Sequence, residues 1–287
     1  MRNSECGIKR NYKNMRSVIV ILCVISVCLL SGCSRPQANV IVLGSTSVEP
    51  YAGKLAEIYA HIHPDREIDV QGGGSGVGIA AVESGIADIG MSSRALKEEE
   101  KEFIGWEKEI AKDGLAIIVH PDNPVSDLTL EEIRGIYTME VTNWSQLPGG
   151  DDAPIHIITR EEGSGTRSAF EELVMGKGVW ITQKAMVQSS NGAVRQIVSG
   201  DKNAIGFISL GLVEIGEKPV KALALNGVAA TRENIENGSY ELSRPFLFVA
   251  LTEPDGPAKQ FVEYVLSPEG QQILIAEGFI RGADAAP

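Results

Sequence analysis

Apolar and polar positions change period repeatedly along the chain. NVIVLG at 39–44 is a short apolar run, as a buried strand is. Directly after it, Val48, Tyr51, Leu55, Ile58, Tyr59 and Ile62 recur at helical spacing. EIDVQ at 67–71 alternates like a strand, SGVGIAAVES at 75–84 reads as a helix, and ADIGMS at 87–92 returns to strand. GLAIIVH at 114–120 is another strand, stopped by Pro121 and Pro124. Thr129 and Glu132 form a capping-box pattern that opens a helix over LEEIRGIYT. PIHIITR reads as a strand, and SGTRSAFEELV as a helix with Ala169, Phe170 and Leu173 on one face. NGAVRQIVSG is a short helix closed by glycine, NAIGFISL and RPFLFVAL (244–251) are strands, and AKQFVEYVLS and PEGQQILIAEG are C-terminal helices. This β-α-β-α alternation, without internal repeats, predicts an α/β fold of mostly parallel sheets.

The first 32 residues stand apart from this pattern. Arg2, Lys9, Arg10, Lys13 and Arg16 precede the apolar run SVIVILCVISVCLL, which has the length of a signal-peptide core and is short for a membrane span. Leu30-Ser31-Gly32-Cys33 then matches a lipobox, so 1–32 is expected to be a lipoprotein signal peptide, Cys33 the lipidation site and 33–38 a tether. Acyl chains on Cys33 would hold the protein at the outer face of the cell membrane, in the periplasm if an outer membrane is present.

The remaining 255 residues are enough for one large domain or two medium ones. All four cysteines, Cys6, Cys23, Cys28 and Cys33, fall in or at the end of the signal, which leaves the exported part without disulfide or thiol chemistry. His61 and His63 are close, but no further Cys or His stands near them, and a metal site is not expected. Without its signal the chain has 21 basic residues against 37 acidic ones, a net charge of about −16. That balance argues against a nucleic-acid partner. It does not exclude a small anion, provided that local dipoles and hydrogen bonds do the holding.

Three turns offer such holding. Gly44-Ser45-Thr46-Ser47, Gly72-Gly73-Gly74-Ser75-Gly76 and Gly163-Ser164-Gly165-Thr166 each follow a strand and precede a helix. In a parallel sheet they share the edge at the strands' carboxyl ends, where ligands bind. A helix N-terminus has unpaired N–H groups and a partial positive charge, glycine lets the backbone come close, and Ser or Thr adds a hydroxyl donor. Arg160 adds a planar, permanently charged fork. Any one of these turns alone would be an ordinary N-cap; three at one edge beside an arginine point to a tetrahedral oxyanion. GGGSGVG is not a P-loop, since no Gly-Lys-Ser/Thr follows, and Val77 spoils both GxGxxG and GxSxG. Acidic runs such as Glu98-Glu99-Glu100 and Glu131-Glu132 are expected to be solvated helix faces, and Trp106, Trp144 and Trp180 packing residues.

GSTSVEP, QGGGSGVG, ADIGMSS, TLEEIRGIYTMEVTNW, TREEGSGTRSAF and AIGFISLG follow one another across nearly the whole exported chain. In that order they resemble the phosphate-binding lipoproteins that feed the high-affinity phosphate ABC transporter. GSGTR, with GGGSG about 90 residues earlier, is the specific part. The resemblance implies a two-lobed type II periplasmic-binding-protein fold, with lobe 1 at 39–117 and 246–287, lobe 2 at 118–245, and hinge crossings near Val119-His120 and Pro245. It implies inorganic phosphate in the cleft, held by Thr46, Ser47, Ser75, Gly76, Ser93, Arg160, Ser164, Gly165 and Thr166. It further implies no catalysis, no cofactor, transmembrane permease subunits as partners, and action as a monomer.

One position departs from the family pattern. Many members have an Asp after the ADIG-type strand, which accepts the proton of the bound phosphate; here the position is Ser93, followed by Arg94. Ser93 Oγ, a backbone carbonyl or another carboxylate must do that work, or discrimination against sulfate is weaker. Asp88 and Glu49 are the nearest carboxylates, with Asp88 expected to be structural. Arg94 either adds a second cation to the site or pairs with a nearby Glu. A binding protein for sulfate, molybdate or tungstate is the alternative within the class. Outside it stand an esterase or phosphatase using Ser75 or Ser164, for which no base is evident, and a sensor or adhesin on the same fold.

Overall fold

The computed structural model describes residues 40–214, 216 and 218–286. The expected signal peptide, the lipidation site Cys33 and the tether lie outside the described residues. Twelve strands are described: β1 (Val40–Gly44), β2 (Ile68–Gly72), β3 (Ile89–Ser92), β4 (Trp106–Val119), β5 (Asp127–Leu128), β6 (His156–Arg160), β7 (Met186–Gln188), β8 (Ala204–Ser209), β9 (Lys221–Ala222), β10 (Ala224–Leu225), β11 (Ser243–Ala250) and β12 (Ile280–Arg281). The main sheet runs β2-β1-β3-β11-β4-β8-β6-β7, with β9 and β12 also on β4, while β5 and β10 pair separately.

The outer strands are parallel, as the alternation predicts: β1 with β2 and β3, and β6 with β7 and β8. The two central strands are not. β11 is antiparallel to β3 and β4, and β4 is antiparallel to β8. The sheet as a whole is therefore mixed: parallel within each outer strand group, as expected, and antiparallel at the crossing strands. The reason is topological: the chain leaves one strand group along β4 and returns to it along β11, and an outgoing and a returning strand side by side run in opposite directions.

β4 is twice as long as its apolar part. Its first half reads WEKEIAKD, whose charged residues mask the strand from an apolar-run reading. Trp106–Gly114 pairs with β11, and Leu115–Val119 pairs with β8. The strand thus changes partners between Asp113 and Leu115.

Helices cover both strand groups. Glu49–Ile62, Ser75–Glu83 and Gly256–Leu266 pack around β1 to β3 and β11, with Val42, Leu55, Tyr59, Phe248 and Phe261 buried among them. Around β4, β6 and β8, helix Leu130–Thr138 carries Ile133, Ile136 and Tyr137 into a second core with Trp144, Phe170 and Phe207. The Thr129 capping box forms as read: Glu132 N–H donates to Thr129 Oγ1 at 3.2 Å, and Thr129 N–H to Glu132 Oε2 at 2.7 Å. Helix Gly165–Phe170 widens into a π-turn over Glu171–Met175, where Gly176 N–H bonds the Glu171 carbonyl.

Two expectations about single residues fail. Trp144 is buried and Trp106 packs on the core, but Trp180 is 74% exposed and packs nothing away from water. Glu98 and Glu99 are solvated as expected, whereas Glu100 is buried because Arg94 clasps it. Among the described residues no helix is long and apolar enough to cross a membrane.

Phe170 and Phe207 stack at 4.1 Å with their rings 8° from parallel, both fully buried. Phe207→Ala should therefore lose about 3–5 kcal/mol of unfolding free energy in a urea titration; a loss under about 1 kcal/mol would mean that this core collapses around the gap.

Candidate functional site

The three glycine turns do come together. β1 ends at Gly44, held at φ 147°, where a Cβ would overlap the Met91 carbonyl oxygen of β3. Only glycine lets the chain turn there, and it delivers Ser45, Thr46 and Ser47 to the sheet edge. The second turn is tied to the first by Gly74 N–H on the Gly44 carbonyl at 2.8 Å, and it starts the helix with Ser75. The third meets the second across a gap closed by one hydrogen bond, Gly76 N–H to the Gly163 carbonyl at 3.0 Å. Gly165 sits against Ser75 and Ser93: a Cβ there would overlap Ser75 Oγ and stand 2.7 Å from Ser93 Oγ.

The side chains of these turns form one buried network. Ser47 Oγ and Thr166 Oγ1 are 3.0 Å apart, although 119 residues separate them. Ser93 N–H donates to Ser75 Oγ at 3.1 Å. Arg160, at the end of β6, is 1% exposed. Its Nε and Nη2 donate to Glu161 at 2.9 and 2.7 Å, Nη2 also reaches Thr46 Oγ1 at 3.2 Å, and Nη1 has no partner. A buried guanidinium N–H without a partner is costly and suits an anion oxygen. Ser164 Oγ is committed to capping its own helix through Arg167 N–H, and the Gly76 amide to Gly163. Thr46 also borders a cavity of about 590 Å³ lined by Glu49, Pro50, Ser190, Arg195 and Lys218.

Four residues belong to the network that the sequence did not single out. Arg244 of β11 lies directly opposite Asp113 of β4 in the ladder. Its Nε and Nη2 donate to Asp113 Oδ2 at 3.1 and 2.9 Å, Nη2 also reaches Ser47 Oγ at 3.1 Å, and Nη1 reaches Ser93 Oγ at 3.4 Å. Ser209, at the end of β8, donates its hydroxyl to Asp113 Oδ1 at 2.9 Å. Burial pushes the Asp113 carboxyl up and the Arg244 guanidinium down from their ordinary values, and each partner opposes the other's shift. Asn191 begins helix Asn191–Val198 after β7 and donates Nδ2 to Thr46 Oγ1 at 3.1 Å and Ser47 Oγ at 2.9 Å. The signals were present but faint: one arginine inside the apolar RPFLFVAL, one aspartate before GLAIIV, and a fourth strand-to-helix turn, SSNG, with no glycine ahead of its hydroxyls.

Arg94 does not supply a second cation: Nη1 and Nη2 both clasp the Glu100 carboxylate at 2.6 Å. Asp88 is structural, accepting Ile41 N–H at 2.8 Å. Among the described residues no cluster of three or more His, Cys, Asp or Glu could hold a metal.

Strand-to-helix turns gathered from two strand groups that are joined by crossing strands are the architecture of periplasmic binding proteins. The chain matches the family described as PBP superfamily domain over residues 32–269. It is 31% identical over 276 residues to the "Phosphate-binding protein PstS" of Borreliella burgdorferi, covering 93% of this chain and 99% of the relative. It is 29% identical to the protein of the same name from Bacillus subtilis, covering 88% and 84%. Among solved structures it resembles a putative phosphate ABC transporter substrate-binding protein with bound phosphate from Clostridium perfringens, at 44% identity and TM-score 0.80, covering 84% of this chain and 98% of the other. An ABC-type phosphate transport receptor from Vibrio cholerae follows at 38% identity and TM-score 0.69, covering 84% and 99%. The chain belongs to the PBP superfamily and, within it, to the family of these phosphate-binding proteins.

Burial raises the Glu100 carboxyl, but the hydrogen bonds from Arg94 and from Lys97 N–H outweigh it and leave the group below its ordinary value. A lowered carboxyl stabilises the fold above the unfolded-state pKa, and that contribution disappears as pH falls through the folded one. Glu100→Gln should accordingly be less stable than the parent at neutral pH, with the gap narrowing below about pH 5. Stability curves for both proteins between about pH 3 and 7 check this, and a gap that widened with acid would contradict it.

Proposed function

We propose that this chain is an extracytoplasmic solute-binding protein that captures inorganic phosphate between two lobes and passes it, chemically unchanged, to an ABC-type permease in the membrane. The observation that carries the reading is Arg160: a fully buried guanidinium whose Nη2 reaches Thr46 Oγ1 at 3.2 Å and whose Nη1 is free, in the same site as the Ser47–Thr166 hydroxyl pair. The phosphate-binding relatives support the choice of anion. Arg160 would supply its free Nη1, Thr46, Ser75, Ser93 and Thr166 hydroxyls, and Gly165 the close backbone approach. Ser47 would act through its amide or by aiming Thr166, and Ser164 and Gly76 by shaping the turns.

The lobes would divide just beyond the point where β4 changes partners, between Asp113 and Leu115, and where β11 returns, at Ser243 to Phe246. Residues 39–117 with 246–287 and residues 118–245 would then move as two bodies, with those strands as the hinge. Phosphate bridging Ser75 and Ser93 on one side and Arg160, Gly165 and Thr166 on the other favours the closed form by contacts that the open form lacks. Hydrolysis at Ser75 or Ser164 finds no support: Ser164 Oγ is a helix cap, and Ser75 Oγ bonds the Ser93 amide. The lipobox at Cys33 supports a lipid anchor outside the cell membrane, and the protein would act as a monomer.

Calorimetric titration with phosphate tests the reading, using protein freed of carried ligand by partial unfolding. The parent should bind tightly. Arg160→Ala should weaken binding about 10- to 100-fold through loss of charge-assisted hydrogen bonds. Gly165→Ala should weaken it as much, because the methyl group occupies the space between Ser75 and Ser93. Unaltered affinity in both variants would place the phosphate elsewhere.

A further inference from the structure

The direction of nearly every hydrogen bond around the site is fixed by counting. A hydroxyl has one hydrogen and two lone pairs. Asn191 Oδ1 accepts from Ser209 N–H at 3.3 Å, so its amide nitrogen must be the atom that faces Thr46 and Ser47. Thr46 Oγ1 then accepts from Asn191 Nδ2 and Arg160 Nη2, which fills both lone pairs, and its hydrogen has to be given away. Ser47 Oγ accepts from Asn191 Nδ2 and Arg244 Nη2, so its hydrogen goes to Thr166 Oγ1. Thr166 must in turn donate onward, and Arg160 Nη1 is a donor without a partner.

The carboxylates that face this cluster are engaged. Asp113 takes Arg244 and Ser209, Glu161 takes Arg160, and Glu100 takes Arg94 and the Lys97 amide. Glu49 lies against Gly72, on the side of the neighbouring cavity. Among the described residues the site is therefore rich in donors and poor in acceptors. Ser93 Oγ is the exception. It is fully buried, yet its contacts, Ser75 Oγ and Arg244 Nη1, are both at 3.4 Å, the long limit for a hydrogen bond. Its hydroxyl is free to turn.

We propose that Ser93 sets which tetrahedral anion the site selects: its hydroxyl accepts a single ligand proton or, turned round, donates to a bare oxygen. This rests on the phosphate reading above. The site then takes the phosphate dianion, which has one proton to place. It disfavours the monoanion, whose second proton meets only donors. It also tolerates sulfate, which has no proton, because a hydroxyl, unlike a carboxylate, does not repel it.

The test is calorimetry with inorganic phosphate and with sulfate on the parent, Ser93→Ala and Ser93→Asp between about pH 5 and 8. For the parent, phosphate affinity should level off above neutrality and fall about tenfold per unit below it, following the dianion fraction. Sulfate should bind within about a hundredfold of phosphate. Ser93→Ala should lower the phosphate-to-sulfate ratio about tenfold by removing the acceptor, and Ser93→Asp should raise it about a hundredfold. Phosphate binding that ignores pH, with sulfate silent and the ratio unmoved by either substitution, would overturn this role for Ser93 and leave the phosphate reading standing. A parent that bound no phosphate at any pH would overturn both.

Discussion

The ion pair between Arg244 and Asp113 is the contact on which the rest of the site depends. It sits where β4 changes partners, and the two residues face each other across the ladder. Taking two charges out of water costs several kcal/mol each, and the pair survives only because its other hydrogen-bonding capacity is filled. Ser209 fills one side of Asp113, while Ser47 and Ser93 receive the rest of the guanidinium. One arginine thereby ties β4, β8 and β11 to the turns after β1 and β3. The hydroxyls of those turns are aimed before any ligand arrives, so binding need not bear the cost of ordering them.

The same pairing explains how a strongly acidic chain can hold an anion. Arg94, Arg160 and Arg244 surround the cluster, and each is matched by its own carboxylate: Glu100, Glu161 and Asp113. The site has no excess positive charge to attract ligand from a distance. What it offers is a set of short, directed N–H and O–H donors in a water-poor space, where each is worth more than in solvent. Long-range steering is given up, and shape and proton count become the basis of selection.

The turns were legible in the sequence because their chemistry is local. Gly44, Gly74 and Gly165 with their neighbouring hydroxyls read directly as strand-to-helix junctions, and the order of motifs placed them in one family. The Thr129–Glu132 capping box was legible for the same reason. The central strands were harder to read. The first half of β4 is disguised by charges, and its antiparallel partner β11 lies more than 120 residues further on, as the 131-residue separation of Asp113 and Arg244 shows. Arg244 looked like a flank of an apolar strand, and Asn191 like an ordinary cap. Glu100 looked solvated because nothing local says that Arg94 folds back over it. In each case the missing information was a contact between segments far apart in the chain.

The decisive measurement is the salt dependence of phosphate affinity, followed by calorimetry between about 0.02 and 0.5 M sodium chloride. Directed donors in a neutral, buried site are screened little, so the dissociation constant should move by less than about threefold. A loss of affinity of tenfold or more over that range would contradict this, and would mean that unpaired positive charge, rather than the fixed hydrogen-bond network around Arg160 and Arg244, holds the anion.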